Sequence, residues 1–145
     1  MIKAEDLRIG DLVRVSCNCA LAEGTIGTIV EISKETNAND KKGFVKLILI
    51  NGVSNWGWGV SCNNIEGISL TCNNLSNNDW GASQIGEHEF LIYNEDEDIY
   101  LEWSDIGDRY TFNDFLRSKI FKTVRYIHEL QHILWAFGRN ANFKI

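Results

Sequence analysis

The chain has 145 residues, 44% of them apolar, with a formal net charge of −6, four cysteines and no proline. That length and apolar share are enough to bury a core, which excludes a disordered chain. No run approaches the roughly 18–20 consecutive apolar residues that a membrane-spanning helix requires, and the negative balance argues against a chain that grips phosphates.

The start, Met1-Ile2-Lys3-Ala4-Glu5-Asp6, lacks the basic and then apolar layout of a secretory signal, so a cytoplasmic protein is expected. The first sixty residues read as β-structure. Asp11–Val15 alternates, Gly24–Ile32 follows after a loop, and Phe44–Ile50 is apolar and β-branched. Trp56-Gly57-Trp58-Gly59-Val60 sets three large residues on one face. Aromatics alternating in this way usually pack in a core or interface. Trp56 and Trp58 are also candidate binding residues, able to stack on bases or grip a peptide.

Short strands at this spacing suggest a small barrel. The phrases Gly10-Asp11-Leu12-Val13-Arg14-Val15 and Gly24-Thr25-Ile26-Gly27-Thr28-Ile29 are similar to those of KOW and SH3-like barrels, where glycines permit tight curvature. KOW modules often contact RNA, which that resemblance would imply here. Residues 1–60, however, hold seven basic and seven acidic side chains, so the electrostatic footprint of nucleic-acid binding is missing.

Cys17, Cys19, Cys62 and Cys72 are separated by one, forty-two and nine residues, whereas structural zinc sites pair cysteines across two to four. Reduced thiols acting as small apolar side chains are expected. Residues 37–43 form a polar loop, and Asn51–Asn55 opens with the turn dipeptide Asn51-Gly52. Ile65–Thr71 reads as a strand running into a short linking helix capped by Thr71, with Leu75 buried.

Glu89–Tyr93 and Ile99–Trp103 flank the acidic turn Asn94–Asp98 as a β-hairpin. The turn lacks the glycine and terminal glutamate of an EF-hand loop, which leaves it solvated rather than calcium-binding. Between Tyr110 and Thr123 the signal is mixed: Asn113-Asp114 could cap a helical turn, and Ile120–Val124 would suit a strand. A helix is predicted from about Val124 to Phe137, with Gly138 at C′.

That helix contains His128-Glu129-Leu130-Gln131-His132, the five-residue string of a zinc protease. Two imidazoles one turn apart can share a Zn²⁺ while the carboxylate polarises a metal-bound water. On that alternative reading His128 and His132 are metal ligands and Glu129 is the catalytic base. A third ligand is needed, yet none of the thirteen residues after His132 is His, Asp, Glu or Cys, and Trp135 and Gly138 stand where the extended motif has glycine and histidine. His88 or an acidic loop residue would have to supply it. Tyr126, Ile127, Leu130, Ile133, Leu134 and Phe137 share one broad side, so both histidines are expected on a solvated rim and no metal or cofactor is implied.

Charge is segregated. Ser61–Asp108 contains eleven Asp and Glu and no Lys or Arg, whereas Arg109–Ile145 contains seven basic residues against Asp114 and Glu129. The basic segment could neutralise the acidic one internally. Alternatively the acidic surface, with Glu95, Asp96, Glu97 and Asp98 as its candidate binding residues, attracts a basic protein partner.

Three phrases, Leu7-Arg8-Ile9-Gly10-Asp11-Leu12-Val13, Ile65-Glu66-Gly67-Ile68-Ser69-Leu70-Thr71 with Leu75, and Tyr126-Ile127-His128-Glu129-Leu130-Gln131-His132, look like those of a group of small proteins from Bacteroides-type gut bacteria, their prophages and phages. The resemblance spans nearly the whole chain. Its members read R-I-G-N-x-V, I-x-P-I-x-L-T-x-x-x-L and Y-V-H-Q-L-Q-N-L; here Gly67 replaces the proline, Glu129 the first glutamine and His132 the asparagine. The likeness implies a phage or mobile-element accessory protein of the host cytoplasm or the virion, with no catalytic residues to carry over.

The expected architecture is α+β: an SH3-like β-barrel lobe over residues 1–70, then a lobe over 71–145 with a β-hairpin region closed by an amphipathic helix, with one compact domain as the alternative to two lobes. The expected role is non-enzymatic protein interaction. A zinc-dependent hydrolase and nucleic-acid binding are the alternatives.

Overall fold

A computed structural model describes residues 2, 4–17, 19–34, 43–50, 52, 56–94, 99–104, 109–114 and 122–145. The chain divides into two compact units, Met1–Ile68 and Ser69–Ile145. Each is built on one five-stranded antiparallel sheet. Sheet dominates and helices are few, so the class is α+β with a strong β bias.

In the first unit the strands are β1 (Leu12–Val15), β2 (Ile26–Ser33), β3 (Phe44–Leu49), β4 (Trp58–Ser61) and β5 (Ile65–Gly67), in the order β4-β3-β2-β1-β5. A 3-10 turn, Cys62–Asn64, joins the last two. Val13, Val15, Ile29, Val45, Leu47, Val60 and Ile65 are buried in one apolar core that Leu7, Leu21 and Cys62 complete. Their alternation along the strands is what made them legible, since successive side chains leave opposite faces of a strand. The register of β2 on β3 shifts between Ile29 and Glu31, a bulge that bends the longest strand. The sheet is open: among the described residues β4 and β5 are edges and do not pair with each other. Where the sequence suggests a small SH3-like barrel, the described residues form one open five-stranded sheet.

The second unit begins with Ser69 pairing with Tyr126 as a single bridge, reinforced by Leu70 N–H to Arg125 O at 2.8 Å. Helix α1 (Cys72–Ser76) follows, capped as its sequence suggests. Thr71 Oγ1 accepts from Asn74 N at 3.2 Å, Asn74 Oδ1 accepts from Thr71 N at 2.8 Å, and Leu75 is buried. Strands β6 (Gly81–Gln84), β7 (Glu89–Asn94), β8 (Ile99–Ser104), β9 (Arg109–Asp114) and β10 (Lys122–Val124) then form a meander in sequence order.

The hairpin expected around Asn94–Asp98 is present, with Asn94 opposite Ile99, but it is two strands of five. Asn113 and Asp114 end β9, and the helical turn that they could cap falls on 115–121, outside the described residues. Helix α2 spans Ile127–Ala136, and Val124 belongs to β10. Ile127, Leu130, Ile133 and Leu134 form its buried stripe. The helix ends in a Schellman motif: Gly138 has φ 67°, and Arg139 N–H reaches Leu134 O at 2.8 Å. No helix among the described residues is long and apolar enough to cross a membrane.

Candidate functional site

The zinc-protease string lies on α2, but the helix employs it structurally. Glu129 occupies the first turn, at N3, and its Oε2 accepts from Arg125 N at 2.7 Å and Tyr126 N at 3.2 Å. The carboxylate therefore satisfies backbone donors that a helix start would otherwise leave open. It also sits favourably at the positive end of the helix dipole. We expect Glu129→Ala to cost roughly 0.3–1.5 kcal/mol, and Glu129→Gln, which can make the same reach, to keep most of that stability. Urea titration followed by circular dichroism checks this; a glutamine variant as weak as the alanine one would mean that capping is not what Glu129 supplies.

His128 corrects the expectation of two imidazoles on a solvated rim. It is 5% exposed, its ring stacked on Tyr126 with centroids 5.6 Å apart and 11° between planes. The ring of His132, half-buried, meets it edge-on at 5.9 Å. Gln131 is buried as well, and its Nε2 donates to Ala141 O at 3.0 Å. The chain after α2 thus comes back towards this side of the helix. Asn78 holds the same segment near its end, donating to Lys144 O at 2.9 Å and accepting from Lys144 N at 2.6 Å. Among the described residues no group of three His, Cys, Asp or Glu side chains could hold a metal ion, and His88 lies exposed in the turn between β6 and β7.

Trp56 and Trp58 correct a second expectation. Val60 and Trp58 stand opposite buried Val45 and Leu47, so β4 does direct them to the core side. Yet exposure climbs along the segment, from 3% at Val60 to 40% at Trp58 and 80% at Trp56. The aromatic run leaves the core and offers its indoles to solvent. The cysteines are free thiols: Cys62 is in the core, Cys17 and Cys72 are half-buried and Cys19 is exposed. Cys72 Sγ lies 3.7 Å from Tyr110 Oη. Glu95, Asp96, Glu97 and Asp98 lie outside the described residues, as do most of the Asn51–Asn55 and 37–43 loops.

A groove that the sequence did not disclose lies at the end of the β7–β8 pair remote from that acidic turn. It measures about 350 Å³, and Ile85, Glu89, Phe90, Glu102 and Trp103 border it. Phe90 stands opposite Trp103, their ring centroids 4.9 Å apart and tilted 40°, and Trp103 stacks in turn on Tyr110 at 6.1 Å. Aromatic pairs at these separations add about 0.5–1.5 kcal/mol beyond their burial, so this end of the sheet is firm. Glu89 and Glu102 are exposed diagonal neighbours on the opposite face, and neither is ion-paired among the described residues. Trp103 Nε1 is buried with no hydrogen-bond partner, a state that costs about 1–3 kcal/mol. A second concavity of about 330 Å³, in the first unit, is bordered among the described residues by Gly24, Thr25, Ile26, Leu49 and Gly52, none of them charged.

The register explains how the β7–β8 groove forms. Once Asn94 pairs with Ile99, Phe90 must face Trp103 and Leu91 must face Glu102. Alternation then sends the two aromatics to one face and the two glutamates to the other. Compared with known protein families, curated proteins and solved structures, the chain matches none.

Proposed function

We propose that this is a non-enzymatic protein-interaction protein that binds a basic partner through the acidic surface of its second unit. The observation that carries this reading is the run from Ser61 to Asp108, with eleven carboxylates and no Lys or Arg, which places exposed Glu87, Glu89 and Glu102 on or beside an ordered sheet. Unpaired surface charge of one sign accelerates encounter with a partner of the other and rejects like-charged ones. The commitment of Glu129 to capping favours binding over hydrolysis. The balanced charge of residues 1–60 gives RNA little to grip.

Two finer points belong to the same proposal. The first unit is an SH3-like small-barrel module, supported by β1 lying between β2 and β5 and by the 3-10 turn before β5. Its exposed Trp56 and Trp58 supply an apolar surface of the kind enriched in protein interfaces. Likeness to the Bacteroides-type phage and prophage group supports an accessory role in a mobile element, in the host cytoplasm or on a virion.

A pull-down from bacterial lysate at low ionic strength tests the central claim. The expected result is a basic protein that is released as salt rises, since surface pairs are screened beyond about 10 Å at 0.1 M. Neutralising Glu95, Asp96, Glu97 and Asp98 to Gln and Asn should reduce its recovery. Identical recovery by wild type and variant, unaffected by salt, would remove the acidic surface as the recognition element.

A further inference from the structure

We infer that the free edge of β6 is the seat for an extended basic segment of that partner, added to the five-stranded sheet of the second unit as a further strand. The inference rests on the acidic-surface reading for the charge of the segment and on the strand edge for its conformation. β6 stands last in the order β10-β9-β8-β7-β6, so only one of its sides is paired. Ile85 N donates to Glu89 O at 2.9 Å, in register with Ser83 opposite Leu91 and Gly81 opposite Tyr93. Bonding in an antiparallel pair alternates along the strand, so Gly81, Ser83 and Ile85 direct their N–H and C=O groups to β7. Ala82 and Gln84 direct theirs the other way, where no strand lies among the described residues. Both are exposed.

Two residues thus present two donors and two acceptors at ladder spacing. Native sheets blunt such an edge with lysine, proline, a bulge or an inward-pointing charge. Gly81-Ala82-Ser83-Gln84 has none of these, and its register against β7 is unbroken. Main-chain bonding at an edge accepts any extended backbone, so the charge around it selects the occupant. Glu87 and Glu89, both exposed, stand at the turn that ends β6. The Glu89 carboxylate folds back over that turn, since a Cβ on Gly86 would lie 3.1 Å from its Oε2. No Lys or Arg occurs between Ser61 and Asp108 to offset them. The opposite edge strand, β10, carries Lys122 and leads into Arg125, so a cationic segment is drawn to β6 instead. A second copy of this chain would bring its own acidic turn to the edge and is disfavoured by the same charges.

The test uses the full chain and a short blocked peptide that alternates lysine with valine, with two derivatives N-methylated at every lysine or at every valine. An added strand bonds through alternate residues, so one derivative should bind like the parent and the other about tenfold weaker or worse. Isothermal titration at low salt measures both. At saturation with the parent peptide, amide exchange at Ala82 and Gln84 should slow about tenfold, while Ser83, already bonded to β7, changes little. Ala82→Pro deletes an outward donor without touching the ladder to β7, a place where an edge tolerates proline, and should weaken the peptide about tenfold. Circular dichroism verifies the fold of that variant, and the N-methylated peptides probe the same bonds in the unaltered chain.

If the two N-methylated peptides behave alike, or exchange at Ala82 and Gln84 is unchanged at saturation, the edge of β6 is not the seat. A peptide with glutamine for lysine that binds as well as the parent overturns the basic occupant, and so does protection of Ala82 by self-association without peptide. Salt-sensitive binding of the lysine peptide with no effect at β6 leaves the acidic-surface reading standing without this seat. Failure of every basic peptide, at any salt, removes both.

Discussion

Leu130→Ala should destabilise the second unit by about 2–5 kcal/mol, the range for truncating a fully buried leucine. Leu130 is 0% exposed and sits in the centre of the buried stripe of α2, with Ile127, Ile133 and Leu134 on the same side. The helix is only ten residues long, too short to hold by itself in water. Its existence therefore depends on that stripe. The change removes the transfer energy of the side chain and leaves a void that the sheet cannot fill without moving. Trp135, 54% exposed on the outer side, is the control: Trp135→Ala should stay within about 0.5 kcal/mol despite deleting a larger side chain. Urea titration with far-ultraviolet detection measures both. Equal costs would mean that α2 presents a different side to the sheet.

The stripe itself was legible, because apolar positions at helical spacing can bury only one way. The polar side was not. His128 read as solvated, yet it is buried, and so is Gln131, whose Nε2 donates to the Ala141 carbonyl of the segment that returns after α2. Periodicity within a helix carries no information about chain that comes back from beyond its end. Strand β6 was missed for another reason. Gly81-Ala82-Ser83-Gln84 has neither β-branched nor aromatic residues, and it is a strand because β7 templates it. A Cβ on Gly81 would come within 2.6 Å of the Tyr93 ring, which would have to shift to admit a side chain there.

The candidate site divides in the same way. Glu129 was recognisable as chemistry, yet its position at N3 depends on where the helix starts, and three residues belong to β10 and the connection before it. The groove depends on register. Glu89-Phe90 and Glu102-Trp103 each look like ordinary strand ends, and only a turn of fixed length between Asn94 and Ile99 sets one pair against the other. The exposed indoles of Trp56 and Trp58 could not be inferred from alternation alone, since β4 ends its pairing at Trp58 and leaves Trp56 without a facing strand.

Gly43→Ala is expected to be the costliest glycine change in the first unit, at roughly 2–5 kcal/mol from two separate causes. The first is conformational. Gly43 has φ +83°, and a left-handed backbone costs an L-residue roughly 1–2 kcal/mol. The second is steric: a Cβ there would collide with the carbonyl oxygen of Ser33 and lie 3.2 Å from the Ala4 Cβ. Backbone cannot rotate away as a flexible side chain would, and Gly43 is further fixed because its carbonyl accepts from Cys62 N at 3.0 Å. Gly24 separates the two causes. It has φ +84° but nothing within 4 Å of its added Cβ, so Gly24→Ala should show the conformational cost alone, about 1–2 kcal/mol. Paired denaturation curves of the two variants give the difference. A clearly larger loss at Gly43 assigns the excess to the close approach of Gly43 to Ser33 at the paired ends of β2 and β3, the pair that positions β4 and its indoles. Equal losses would show that this approach relaxes freely and that the core alone sets the spacing of those strands.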